Sequence, residues 1–163
     1  MILTDTPETA FDKIAMDIVG PLSVTENVNQ YILTIQDLLT KFSLAIPLRR
    51  ATAIDTADAL VKRMFCIFGT PRAVLTDQGT NFLSSLMKQL AKIYKIKQIK
   101  TTAFHPQSNG SLERSHHLLI EYLKQYVSED KEWDEWLELA TYSYNTSVHE
   151  GTQHTPYELF SAK

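Results

Sequence analysis

The sequence predicts an α/β domain in which a mixed sheet is covered by helices. Three observations carry this: a set of short β-branched and aromatic runs within the first 48 residues, helical-period apolar stripes alternating with short apolar runs in the middle, and two long amphipathic stretches towards the end. At 163 residues the chain suits one domain rather than two, here a core over 11–160 with a lead-in segment (1–10) and a short tail (161–163).

The elements follow in order. Lys13–Ile18, Tyr31–Asp37 and Phe42–Leu48 read as strands bounded by turn residues, with Gly20-Pro21 closing the first. Thr52–Phe68 reads as a helix, because Ala53, Ala57, Leu60, Val61, Met64, Phe65 and Phe68 recur at helical spacing before Gly69-Thr70-Pro71. Ala73–Thr76 is a short buried strand, Phe82–Tyr94 a second amphipathic helix and Ile96–Lys100 a fifth strand. Leu112–Val127 is a strong helix with Leu112, Leu119, Leu123 and Val127 on one stripe; Trp133–Tyr144 is another. The order βββ-α-β-α-β-α-α matches a mixed sheet with helical layers.

Composition narrows the function classes. Net charge is −3 with a pI near 5.9, which argues against a basic nucleic-acid coat protein but not against a nucleic-acid enzyme. No apolar run approaches the ~20 residues of a membrane span, and no secretory signal follows Met1. Cys66 alone forms no internal disulfide and no cysteine-rich zinc site, and it reads as an inert core thiol in a reducing, intracellular compartment. Trp133 and Trp136 read as core packing, with one of them available to a partner surface. Charge is uneven: Lys88, Lys92, Lys95, Lys97 and Lys100 form a stretch without acids, suited to solvent or phosphate, whereas residues 121–138 are strongly acidic.

Three acids stand apart. Asp17 ends the apolar run Ile14-Ala15-Met16, and Asp77 ends Ala73-Val74-Leu75-Thr76. A carboxylate among buried strand residues is costly unless paired or bound to a cation. The C-terminal ends of strands are also where open α/β sheets hold ligands. Glu113 begins the strong helix, behind the polar stretch His105-Pro106-Gln107-Ser108-Asn109-Gly110. Singly, each acid reads as a turn cap or a helix-dipole partner. Together they could form an all-oxygen cage for hard divalent cations, and two such ions suit in-line phosphoryl displacement.

The residues go further. Met16-Asp17-Ile18-Val19-Gly20-Pro21, Thr76-Asp77-Gln78-Gly79-Thr80-Asn81-Phe82 and His105-Pro106-Gln107-Ser108-Asn109-Gly110-Ser111-Leu112-Glu113-Arg114 resemble the integrase catalytic core, above all that of gypsy-type LTR retrotransposons. The 35 residues between Asp77 and Glu113 match the spacing of that family's D,D-35-E triad. Tyr144-Asn145-Thr146-Ser147-Val148-His149 and Thr155-Pro156-Tyr157-Glu158-Leu159 look like its closing segment, so the likeness runs from about Phe11 to Phe160.

The resemblance implies a ribonuclease H-like fold, a five-stranded mixed sheet flanked by helices. It implies DNA integration by a polynucleotidyl transferase, which cuts near the 3′ ends of the element's DNA and then joins the freed 3′-hydroxyls to target DNA. Asp17, Asp77 and Glu113 carry over as catalytic ligands of Mg²⁺, with Mn²⁺ as substitute and two ions in the site. His105 to Gly110 carries over as a mobile loop, for which Asn109-Gly110 offers a hinge. Gln78, Asn81, His105, Gln107 and Asn109 become candidate DNA contacts, each with a turn or cap role as the alternative. The implied partners are double-stranded DNA, both element ends and target, and further copies of the chain in at least a dimer, with no membrane. The implied location is the nucleus, after a cytoplasmic stage.

Two positions depart from the pattern. His116 stands where the family often has asparagine, and His117 where retroviral relatives place a DNA-contacting lysine; both can still donate to phosphate. The zinc and basic terminal domains of complete integrases are not accommodated, so an isolated core is expected. Glu113-x-x-His116 has no second copy to complete a di-iron site, and no Gly-x-Ser-x-Gly elbow supports a hydrolase. A transposase or nuclease sharing the metal chemistry, and a domesticated core acting as an interaction module, are the alternatives.

Overall fold

A computed structural model of the chain describes residues 9–76, 80–95, 100–103, 106–127 and 131–161, with side chains described throughout these except at 76, 80–84, 87, 100–103 and 106–115. Five strands, β1 (Lys13–Val19), β2 (Tyr31–Asp37), β3 (Ser43–Leu48), β4 (Ala73–Thr76) and β5 (Lys100–Ala103), form one sheet in the order β3-β2-β1-β4-β5. β1, β2 and β3 are antiparallel neighbours, while β4 runs parallel to β1 and β5 parallel to β4. β1 is therefore the central strand, and its run Ile14-Ala15-Met16 is buried on both faces, as a strand between two helical layers must be.

The helices are α1 (Ala53–Leu60), continued through a π-helical turn (Val61–Phe65) into α2 (Cys66–Phe68), then α3 (Thr80–Tyr94), α4 (Pro106–Val127), α5 (Trp133–Asn145) and α6 (Pro156–Ser161). Strand alternation sorts the core into two layers. Ile14, Met16, Leu33, Ile35, Ile46 and Leu48 pack with Leu60, Met64, Leu86 and Leu90 of the α1–α3 layer. Val19, Ile32 and Ala45 pack on the opposite face with Leu119, Leu123, Trp133 and Leu137 of α4 and α5. Asp17, two residues before Val19, thus belongs to the α4–α5 face, as do Thr34 and Gln36 of β2.

The Tyr144-Asn145 motif ties α5 to the edge of the sheet. Asn145 Oδ1 accepts from the Ser43 N–H (2.8 Å) and its Nδ2 donates to the Ser43 carbonyl (2.9 Å), completing β3's backbone bonds with a side chain. Tyr144 Oη accepts from Gln36 Nε2 at 2.9 Å. The later part of the closing segment is α6. Pro156 takes its first position, and Thr155 and Glu158 exchange bonds in a capping box: Glu158 N–H to Thr155 Oγ1 (3.0 Å) and Thr155 N–H to Glu158 Oε1 (3.3 Å). Phe160 of α6 stacks on Phe42 with centroids 4.5 Å apart, and Phe11 stacks on Phe68 at 4.4 Å.

Three expectations need correction. β5 starts at Lys100 rather than ending there, because its ladder pairs Ala73 with Lys100 and Thr76 with Ala103; residues 96–99 of the expected strand lie outside the described residues. The stretch expected as a loop up to Gly110 is helical from Pro106, so Asn109 and Gly110 fall within α4. A proline at the first helical position is pre-set for the helical φ, and the helix is long enough to absorb one glycine. Cys66 is exposed rather than in the core, because it sits about 200° around the helix from the buried Met64. Of the two tryptophans, Trp133 packs the core and Trp136, about half exposed, is the one available to a partner surface.

The β1–β2 connection is held to α5 through one carboxylate. Asp134 Oδ2 accepts from Thr25 Oγ1 (2.7 Å), Asn29 Nδ2 (2.8 Å) and Asn27 Nδ2 (3.2 Å). Desolvation pushes the Asp134 pKa up, but the bonds from Asn29, Thr25 and Asn27 outweigh it and hold it below the usual carboxylate value. A depressed folded-state pKa contributes stability above the unfolded-state value, and that contribution is lost as pH falls through the folded one. Asp134→Asn is accordingly expected to lower the urea midpoint at pH 7, with the gap to the native chain narrowing below about pH 4.

Candidate active site

The site is built around the C-terminal end of β1. Asp17 is half-buried there, and its Oδ1 accepts from the following Ile18 N–H at 2.8 Å, which orients the carboxylate. The parallel ladder pairs Lys13, Ile14 and Ala15 with Ala73, Val74 and Leu75, so both strands point their C-terminal ends to the same sheet edge. β4 leads directly into Asp77, which lies outside the described residues, as do Gln78 and His105. Just past Asp17, Gly20 has φ +139°, and a Cβ there would meet Tyr31 Cδ1 at 2.6 Å and the Gln30 carbonyl at 2.9 Å. Only glycine fits that turn at the edge of the site.

α4 packs against β1 and α5 and carries Glu113 on its second turn; the Glu113 side chain lies outside the described residues. Three residues on, His116 is buried, 4% exposed, and its Nε2 lies 3.0 Å from Thr34 Oγ1. Thr34 pairs with Asp17 across the β1–β2 ladder, and its hydroxyl also donates to the Asp17 carbonyl at 3.2 Å. His116 is thus directed into the fold, and its expected role as a phosphate donor is revised, because a ring buried against β2 cannot reach a DNA backbone without leaving its place. His117 is exposed and keeps that possibility.

Asn81 stands in the first turn of α3, and Gln107 and Asn109 in the first turn of α4, with their side chains outside the described residues. α3 presents Lys88 and Lys92 to solvent, and Lys95 follows, also exposed. Residue patterning missed Thr34. Its signal was the polar pair Thr34 and Gln36 at alternate positions of an otherwise apolar strand, which places both on one face.

Of the three acids, Asp17 is the one whose carboxylate is described. Among the described residues no group of three His, Cys, Asp or Glu side chains is placed to hold a metal ion. Asp17 itself fits a hard cation: it supplies oxygen, it is partly withdrawn from water, and it sits at the ligand-binding edge of an α/β sheet.

This mixed sheet between helical layers, with an acid in the second half of its central strand, defines a ribonuclease H-like fold. The integrase core domain family matches residues 7–106, which takes in Asp17 and Asp77 and stops short of Glu113. The chain belongs to that family. It is 41% identical over 160 residues to the retrovirus-related Pol polyprotein from transposon 412 of Drosophila melanogaster, covering 98% of this chain and 13% of that protein. It is 26% identical over 154 residues to the transposon Tf2-3 polyprotein of Schizosaccharomyces pombe, covering 93% of this chain and 12% of that protein. The chain therefore spans about an eighth of the relatives' length.

Among solved structures, the catalytic core domain of BIV integrase matches with a TM-score of 0.63 at 23% identity, covering 92% of this chain and 93% of that one. The HTLV-2 integrase catalytic core domain in complex with magnesium (trimeric form) matches with a TM-score of 0.65 at 16% identity, covering 95% and 99%. A chain of the simian T-cell lymphotropic virus intasome in complex with a PP2A regulatory subunit matches with a TM-score of 0.68 at 20% identity, covering 95% of this chain and 56% of that one. At these identities the likeness concerns the fold.

Proposed function

We propose that the chain is the catalytic core of a retrotransposon integrase: a metal-dependent polynucleotidyl transferase that processes the 3′ ends of element DNA and transfers them into target DNA. The observation that carries this reading is the half-buried Asp17 carboxylate in the C-terminal half of the central strand, on the sheet face covered by the helix that bears Glu113. In this reading Asp17, Asp77 and Glu113 hold Mg²⁺, or Mn²⁺ in its place. Two such ions, when bound, supply charge stabilisation at the scissile phosphate and favour formation of the nucleophile. The Ile18 N–H keeps the Asp17 carboxylate oriented; Lys88, Lys92 and Lys95 on the α3 side of the sheet, and His117 on the α4 side, are exposed donors offered to backbone phosphates. Gln78, Asn81, His105, Gln107 and Asn109 remain proposed DNA contacts. The reading carries with it action in the nucleus on chromosomal DNA, after a cytoplasmic stage.

The test is strand transfer, or its reversal on branched DNA, with labelled oligonucleotide duplexes. Product is expected in Mg²⁺ or Mn²⁺ and none after chelation by EDTA. Activity that persists in EDTA would overturn the metal assignment.

The reading also includes self-association. The integrase cores of HTLV-2 have been solved in dimeric and trimeric forms. Here α5 exposes Trp136, Leu139 and Tyr142 at helical spacing, and Ile67 of α2 is exposed as well. An apolar face of this kind suits a second copy of the chain. Sedimentation is expected to show a concentration-dependent dimer, which Leu139→Glu disperses; a monomer at the highest attainable concentration would exclude it.

A further inference from the structure

We infer that His116 and Thr34 form a positioning clamp that sets α4, and with it Glu113, against the Asp17 end of β1. The inference rests on the proposed reading of Asp17 and Glu113 as ligands of one metal site. Its basis is a continuous hydrogen-bonded path across three elements: the Asp17 carbonyl of β1, the Thr34 hydroxyl of β2 at 3.2 Å, and His116 Nε2 of α4 at 3.0 Å from that hydroxyl. Thr34 and Asp17 are register partners, so the hydroxyl is tied to the residue that carries the carboxylate. His116 lies three residues after Glu113, on the same helical face one turn along.

A threonine hydroxyl has one proton. When it is donated to the Asp17 carbonyl, the oxygen meets His116 as an acceptor, so the ring must carry its proton on Nε2. Both side chains are buried, Thr34 fully, which removes water as a competing partner. A buried bond of this kind resists both sliding of α4 along its axis and rotation about it. Those are the two movements that would carry Glu113 away from Asp17. His116 is thus a positioning residue acting through Thr34, with no contact to the reacting phosphate.

The test uses Thr34→Val, which keeps the shape and removes the hydroxyl, beside Thr34→Ser, which keeps the hydroxyl. Nitrogen-edited NMR of the metal-free chain is expected to show His116 protonated at Nε2, with a slowly exchanging proton that Thr34→Val loses and Thr34→Ser retains. Mn²⁺ titration is expected to show affinity weakened by roughly 10-fold in Thr34→Val and restored to within about 2-fold in Thr34→Ser, in the range for outer partners of metal sites. A neutral ring protonated only at Nδ1 in the native chain would overturn the clamp, and this measurement needs no variant to fold. Equal Mn²⁺ affinity in a folded Thr34→Val would overturn it as well. If the metal-site reading itself is wrong, Asp17→Asn binds Mn²⁺ as the native chain does; if the clamp alone is wrong, Asp17→Asn loses the ion while Thr34→Val keeps it.

Discussion

Asp17→Asn is expected to lower strand-transfer activity by roughly 10³-fold, equivalent to about 4 kcal/mol of barrier. Asparagine has nearly the shape of aspartate and retains an oxygen for the Ile18 N–H, so the turn after β1 should persist. What it lacks is the charge that draws a divalent cation to the sheet edge. Two measurements check this beyond activity. Circular dichroism of Asp17→Asn should match the native chain. Mg²⁺ should raise the thermal midpoint of the native chain, as a ligand bound only to the folded state does, and leave that of the variant unmoved. Asp77→Asn and Glu113→Gln should repeat the pattern, since a shared site fails when any one ligand is neutralised. Full activity in any of the three would remove that residue from the site.

Trp133→Ala is expected to destabilise the domain by about 3–5 kcal/mol. That is a large part of the ~5–15 kcal/mol that holds a domain of this kind together. Trp133 is fully buried among Leu123, Leu137 and the β1–β2 face, and its Nε1 donates to the Ser23 carbonyl at 2.7 Å. The substitution opens a cavity between α4, α5 and the sheet, and it also leaves that carbonyl without its partner. Trp136→Ala, one turn along the same helix and 49% exposed, should change the urea midpoint little while weakening self-association. Equal losses from the two tryptophans would contradict the layer assignment.

The order of elements was legible in the residues because it depends on local periodicity. Ile14, Met16, Leu33 and Ile35 alternate as strand residues must, and Leu119, Leu123 and Val127 repeat as a buried helical stripe does. The start of α4 was not legible. The run Pro106-Gln107-Ser108-Asn109-Gly110 has loop composition, but Pro106 also suits the first position of a helix. Nor was Thr34 legible as part of the site, since its importance comes from a cross-strand partner 17 residues away and a helix 82 residues away.

The two histidines after Glu113 mark the boundary most clearly. By sequence they were equivalent, two adjacent donors beside a candidate ligand. In the fold His116 turns inward to Thr34 and His117 faces solvent. By itself, the sequence determined the α/β class, the run of elements and the three acids with their spacing, because these are properties of neighbouring residues and short periods. Only the tertiary structure decided which helix face meets the sheet, which strand lies at its centre, and which polar side chain is spent inside the fold. Those outcomes follow from burying two apolar layers against one sheet, which depends on contacts between residues far apart in the chain.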